Sequence, residues 1–120
     1  MYDKLANYYS KFVFQGTEVV EVIIFDISEI RDLYLSSDSF KSMTNLRCLH
    51  IFNKMQLPDE GKHYNVHFLQ GLEWLSDKLR HLYWDGFPLE SLPSTFCAER
   101  LVRLEMRGSK LKKLWDGIQV

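Results

Sequence analysis

Between Leu79 and Phe96 the apolar positions fall at Leu79, Leu82, Trp84, Leu89, Leu92 and Phe96, a spacing that fits neither one long helix nor one long strand. The same set returns one period later, with Leu79 recurring as Leu101, Leu82 as Leu104, Trp84 as Met106, Leu89 as Leu111, Leu92 as Leu114 and Phe96 as Ile118. Upstream, Leu46, Leu49 and Ile51 repeat its first part, and Val20, Ile23 and Phe25 repeat it once more. The periods are unequal, the longest lying between Leu46 and Leu79. Recurrence at about 20 to 50 residues marks a stacked-repeat architecture. Side chains alternate along a strand, so the spacing x-x-L-x-L sends its two apolar residues to one face of a short strand. The pattern predicts strands near 20–27, 46–52, 79–85 and 101–107. The leading leucine enters from the preceding bend, and the later apolar residues carry the chain back along the outer side. "DGFP" at Asp85 to Pro88 and "RGSK" at Arg107 to Lys110 supply polar turns.

This is the leucine-rich-repeat pattern with unequal loop lengths and without its usual asparagine after the strand. A single coil buries about five side chains at roughly 1.5 to 3 kcal/mol each, against roughly 1 to 2 kcal/mol of backbone entropy per residue. It cannot fold alone, and stacking with its neighbours covers the faces it leaves open. The predicted fold class is an α/β repeat: an irregular leucine-rich-repeat solenoid fragment with a short parallel β-sheet on its concave face and an N-terminal helix. That helix is predicted over residues 1–15, where Leu5, Tyr8, Tyr9, Phe12 and Val13 form an apolar stripe with Asp3 as cap and Gly16 as stop. It would cover the first coil, and residues 16–120 form the repeat segment. A second short helix is expected in "SSDSFKSM", capped by Ser36 or Ser37, and "GKHYNVH" reads as a polar loop insertion. Another strand would be due just past the end of the sequence, so the chain reads as a piece of a longer solenoid or a truncated product.

With the strands in register, the outward positions form three rows. The first is Val22, Cys48, His81 and Arg103, the second Ile24, His50, Tyr83 and Glu105, and the third Asp26, Phe52, Asp85 and Arg107. Aromatic rings, imidazoles and mixed charges on a rigid surface suit the gripping of another protein. The candidate partner-binding residues are therefore Cys48, His50, Phe52, His81, Tyr83, Asp85, Arg103, Glu105 and Arg107. The plain alternative is that they pair with one another, Asp85 with Arg107 for example.

Composition narrows the class. The chain has 120 residues, a formal net charge of −1 and 46% hydrophobic residues, as one small domain should. Near-zero charge argues against bulk nucleic-acid or membrane binding, and no apolar run approaches the roughly 20 residues of a membrane span. The charge is uneven, however. Six acids and one base lie between Glu18 and Asp38, and six bases and two acids between Glu99 and Lys113. The N-terminus has no secretion signal. Two cysteines, Cys48 and Cys97, and the absence of an Asn-x-Ser/Thr sequon fit the cytosol or nucleus.

Five stretches carry a family resemblance: "GTEVVEVIIFDIS", "SFKSMTNLRCLHIFN", "LRHLYWDGFPLESLP", "RLVRLEMRGSKL" and "KKLWDGIQ". From about Gly16 onward their order and spacing resemble the start of the repeat domain in plant intracellular immune receptors of the TIR-NB-LRR type. The resemblance implies a defence protein whose repeats recognise a pathogen effector or hold the receptor's own nucleotide-binding domain inactive. Residues 1–15 depart from it. No phosphate loop of the form G-x-x-x-x-G-K-[ST] is present, and no cofactor or small-molecule substrate is expected. The repeats of a ubiquitin-ligase adaptor, or a remnant without autonomous function, are the alternatives.

Two sharper chemistries compete with recognition. Cys48 opposite His81 and near His50 resembles a nucleophile and base, but without an orienting acid or oxyanion site. His63 and His67 are spaced i, i+4 in a segment that offers no further metal ligands. Neither an enzyme nor a metal protein is expected. Trp84 and Trp115 read as core residues.

Overall fold

A computed structural model describes residues 18–28, 32–54, 66–68, 70–115 and 118–119. Eight strands are present among the described residues: β1 (Val22–Asp26), β2 (Leu33–Leu35), β3 (Cys48–Phe52), β4 (Val66–Phe68), β5 (His81–Trp84), β6 (Arg103–Glu105), β7 (Lys113–Trp115) and β8 (Ile118–Gln119). A four-stranded parallel sheet runs in the order β1-β3-β5-β6. The strands β2 and β4 form a second parallel pair, and β7 and β8 an antiparallel one.

Register in the main sheet follows the sequence offsets. Ile23, Leu49, Leu82 and Leu104 are aligned, and Phe25, Ile51 and Trp84 make the next row. The residues of β1, β3 and β5 in these rows are buried, together with Leu46, Leu79, Phe87, Leu92 and Phe96. Leu104 and Met106 are only half-buried and pack at the margin of this core. They belong to the last coil of the sheet, which has a neighbouring coil on one side among the described residues.

The bend before each strand repeats in detail. The Glu21 carbonyl accepts the N–H groups of Arg47 and Cys48 at 2.7 and 3.1 Å. The Arg47 carbonyl accepts those of Arg80 and His81 at 2.8 and 3.1 Å, and the Arg80 carbonyl those of Val102 and Arg103 at 2.7 and 3.1 Å. Each coil thereby satisfies the backbone donors that begin the next. Polar side chains join the same level: Asn45 donates to the Glu18 carbonyl at 2.8 Å and Lys78 Nζ to Asn45 Oδ1 at 2.6 Å. Buried Ser76 donates to the Thr44 carbonyl.

The expectation of an α/β repeat needs correction. The helix predicted over Leu5 to Val13 lies outside the described residues, and no helix occurs among the described residues. The returns are built from turns and short strands instead. Between β5 and β6, Gly86 adopts φ 72°, and Pro88 and Pro93 punctuate the path, which forbids a regular helix. Gly108, the equivalent of Gly86 one coil later, has φ 63°; both turns need the left-handed conformation that glycine reaches without strain.

The second predicted helix, in "SSDSFKSM", is likewise a run of turns. Ser39, Lys41 and Met43 donate to the carbonyls of Ser36, Asp38 and Phe40. The Ser36 N–H donates to Ser39 Oγ and Ser36 Oγ to Asp38 Oδ1, both at 2.8 Å. Such local side-chain bonds compete with helical ones, while Phe40 and Met43 are drawn fully into the core.

The reading of "GKHYNVH" as a loop also fails at its end, because Val66–Phe68 pairs in parallel with Leu33–Leu35. The connection from Asp26 to Leu33 is shorter than that from Phe52 to Val66. Leu33 and Val66 are as far apart in sequence as Cys48 and His81, and farther apart than Val22 and Cys48. The extra length of the long period therefore lies between β3 and β4, and the chain then rejoins the common coil.

Candidate functional site

The outer face of the main sheet carries the residues that point away from the core. Its first row is Val22, Cys48, His81 and Arg103, and its second Ile24, His50, Tyr83 and Glu105. In the third row Asp26 is paired with Phe52, and Asp85 with Arg107 beyond the strand ends. Cys48, His50, Phe52, His81 and Tyr83 are half-buried; Arg103, Glu105 and Arg107 are exposed. Val22 and Ile24 are apolar yet 55% and 66% exposed.

Register brings the rings of β3 and β5 into one string. Phe52 and His50 have centroids 5.1 Å apart, His50 and Tyr83 4.8 Å, and Tyr83 and His81 6.4 Å with planes only 9° apart. Pairs at these separations contribute about 0.5 to 1.5 kcal/mol beyond their area and hold the rings in fixed orientation. The string runs obliquely over the sheet. Phe52 at one end sits beside Asp26, and His81 at the other beside Arg103.

The charged members behave differently from one another. Asp85 is structural: its side chain is 15% exposed, it accepts Arg107 Nε at 3.1 Å and Nη2 at 3.2 Å, and it takes the Asn53 N–H at 3.0 Å. Asp26 accepts the Ser28 N–H at 2.9 Å and the Lys54 N–H at 3.4 Å. Its slight burial pushes the carboxyl up, but the Ser28 and Lys54 bonds and the Lys54 charge outweigh that and hold it below the usual range. The two acids thus flank the turn after β3 and accept its Asn53 and Lys54 N–H groups. Arg103 is held further above its ordinary range by the Tyr83 hydroxyl and by Glu105.

Burial pushes the Cys48 thiol up, away from the thiolate that a nucleophile requires. His81 Nδ1 is buried without a hydrogen-bond partner among the described residues. Among the described residues no three His, Cys, Asp or Glu side chains converge as a metal site would need. His63 lies outside the described residues. His67 is on β4, where Nε2 meets Asp32 Oδ1 at 2.8 Å and the ring stacks on Tyr34 at 4.9 Å. Sequence reasoning missed this cluster, although "VHF" follows "LYL" at the same offset that relates β3 to β5.

Residues 100–119 match the family described as Leucine Rich Repeat. Over 103 residues the chain is 42% identical to "Disease resistance protein RPS6" of Arabidopsis thaliana, covering 86% of the chain and 9% of that protein. The chain is a leucine-rich-repeat relative of plant disease resistance proteins. It is also 45% identical over 105 residues to "Protein SUPPRESSOR OF npr1-1, CONSTITUTIVE 1" of Arabidopsis thaliana, covering 85% of this repeat chain and 6% of that protein. With "Disease resistance protein RRS1" of the same plant it shares 38% over 104 residues, covering 86% and 8%. The repeat chain spans less than a tenth of the length of these relatives. No solved structure matches it. No helix among the described residues is long and apolar enough to cross a membrane.

Proposed function

We propose that this repeat chain is a non-enzymatic protein-recognition segment of a plant immune receptor of the TIR-NB-LRR type, and that the outer face of its main sheet is the surface that recognises. The partner is a pathogen effector or the receptor's own nucleotide-binding domain, met in the cytosol or nucleus. The observation that carries this reading is the string Phe52, His50, Tyr83 and His81, with successive ring centroids 5.1, 4.8 and 6.4 Å apart on the outer face of the sheet. Rigid aromatic groups beside an arginine are the residue types that dominate binding energy when a partner covers them. The raised Cys48 thiol supports the non-enzymatic part.

Proximity labelling in leaf tissue tests it. The chain is expressed as a fusion with a labelling enzyme, beside His50→Ala/Tyr83→Ala and a return-side control, Glu90→Ala/Lys112→Ala, which removes an exposed pair at 3.4 Å. The expected result is a set of labelled proteins lost in the first variant and retained in the second. An identical set in all three, with circular dichroism showing all three folded, would defeat the proposal.

A further inference from the structure

The ring string has unlike charges at its two ends. Across the sheet the order is Asp26 on β1, Phe52 and His50 on β3, Tyr83 and His81 on β5, and Arg103 on β6. Each end charge is the register neighbour of a terminal ring: Asp26 of Phe52, and Arg103 of His81. Ile24, 66% exposed, is the neighbour of His50 and widens the apolar part of the stripe on the acidic side.

The dimensions follow from sheet geometry. Three strand intervals of about 4.8 Å and four residues of about 3.3 Å along the strands give a diagonal of about 20 Å. An α-helix covers that length in about 13 residues and presents side chains of one face at every turn along it. An extended segment would cover the same distance in about six residues and present only every second side chain to the rings. A helix also carries partial positive charge at its N-terminus and partial negative charge at its C-terminus, the complement of a stripe that runs from carboxylate to guanidinium.

We infer that the stripe from Asp26 to Arg103 is the seat of an amphipathic helix of a partner protein, about 13 residues long, with its N-terminus over Asp26, its apolar side chains on Ile24 and the four rings, and a carboxylate near its C-terminus on Arg103. This rests on the outer face being a recognition surface and specifies what that surface takes. Asp26 is ionised at neutral pH, as an ordinary carboxyl is, and it accepts the Ser28 and Lys54 N–H groups with the Lys54 charge nearby. Glu105, beside Tyr83, repels a second carboxylate one row away and so sharpens the register.

The probes are three synthetic peptides of one length, the two helical ones also of one composition and each about four helical turns long, with leucines at i, i+4 and i+7. One is side-chain-stapled as a helix with glutamate at its C-terminal end, one is stapled with glutamate at its N-terminal end, and one carries two central prolines and stays extended. Each is titrated into the full chain by NMR, following the His50, His81 and Tyr83 ring resonances, at low and high salt.

The first peptide is expected to move those resonances and to bind roughly threefold to tenfold more tightly than the second. The preference should fall with salt and vanish in Arg103→Glu and in Arg103→Ala, with circular dichroism showing each variant folded. Equal binding of the extended peptide at the same rings overturns the helix and leaves protein recognition by this face standing. A preference that survives Arg103→Glu, or binding that leaves the rings unmoved, overturns the placement. Absence of binding by any peptide overturns the helical partner, while the leaf comparison of His50→Ala/Tyr83→Ala still judges the face independently.

Discussion

At Asp85 one carboxylate makes three contacts, and replacing it separates them. Asp85→Ala removes the acceptor of the Asn53 N–H and of the Arg107 guanidinium. A loss of about 1 to 3 kcal/mol in urea denaturation is expected. Arg107→Ala, whose side chain is 63% exposed, should lose under about 1 kcal/mol.

Asp26 supplies the pH dependence. Its folded-state pKa lies below the ordinary value of 3.8, so its stabilising contribution is fully present above that value and disappears as pH falls through the folded-state value. In acid titrations followed by circular dichroism, Asp26→Asn should show a shallower loss of stability below pH about 4 than the parent chain. Trp84 is fully buried with Nε1 unpartnered. Trp84→Phe removes that orphan donor along with some volume and should change stability by no more than about 1 to 2 kcal/mol, whereas Trp84→Ala should lose about 3 to 5 kcal/mol on thermal denaturation.

At the scale of the element, a strand of the main sheet is short and owes its place to what it buries. Strand β5 has β3 on one side and β6 on the other, and Leu82 is fully buried between them. Leu82→Asp places an unpaired charge in that interior and should abolish the cooperative thermal transition. The strand positions were legible because the inward residues alternate and the offsets between repeats also set the pairing. The returns were less so. "SSDSFKSM" has apolar residues that suit a helix, yet Ser36, Asp38 and Ser39 bind one another and the core takes Phe40 and Met43 one at a time. Strand β4 escaped notice because so short a strand carries too little alternation to be seen beside a polar stretch, and only its partner β2 makes it a strand.

For the molecule as a whole, stability passes from coil to coil through neighbours only. Leu104, half-buried at the end of the sheet, should therefore matter less than its equivalent Leu82. Leu104→Asp is expected to speed hydrogen exchange in β6 and the turn after it, while amides of β1 and β3 keep their protection. Uniform collapse of protection would contradict nearest-neighbour coupling. The candidate face was legible as three rows of side chains, since alternation and register decide which residues point outward. Its oblique ring string was not, because rotamers of residues far apart in sequence determine whether rings touch.

The amino-acid sequence alone determined the repeat, the four strands of the main sheet, and which residues of those strands turn inward and which turn out, for periodicity is a local property that burial enforces at every coil. Only the tertiary structure decided the turn-built returns, the β2–β4 pair, the bond from the Asn53 N–H to Asp85, and the contact between His50 and Tyr83. Each of these depends on which side chains reach one another across neighbouring coils, and spacing along the chain does not specify that distance.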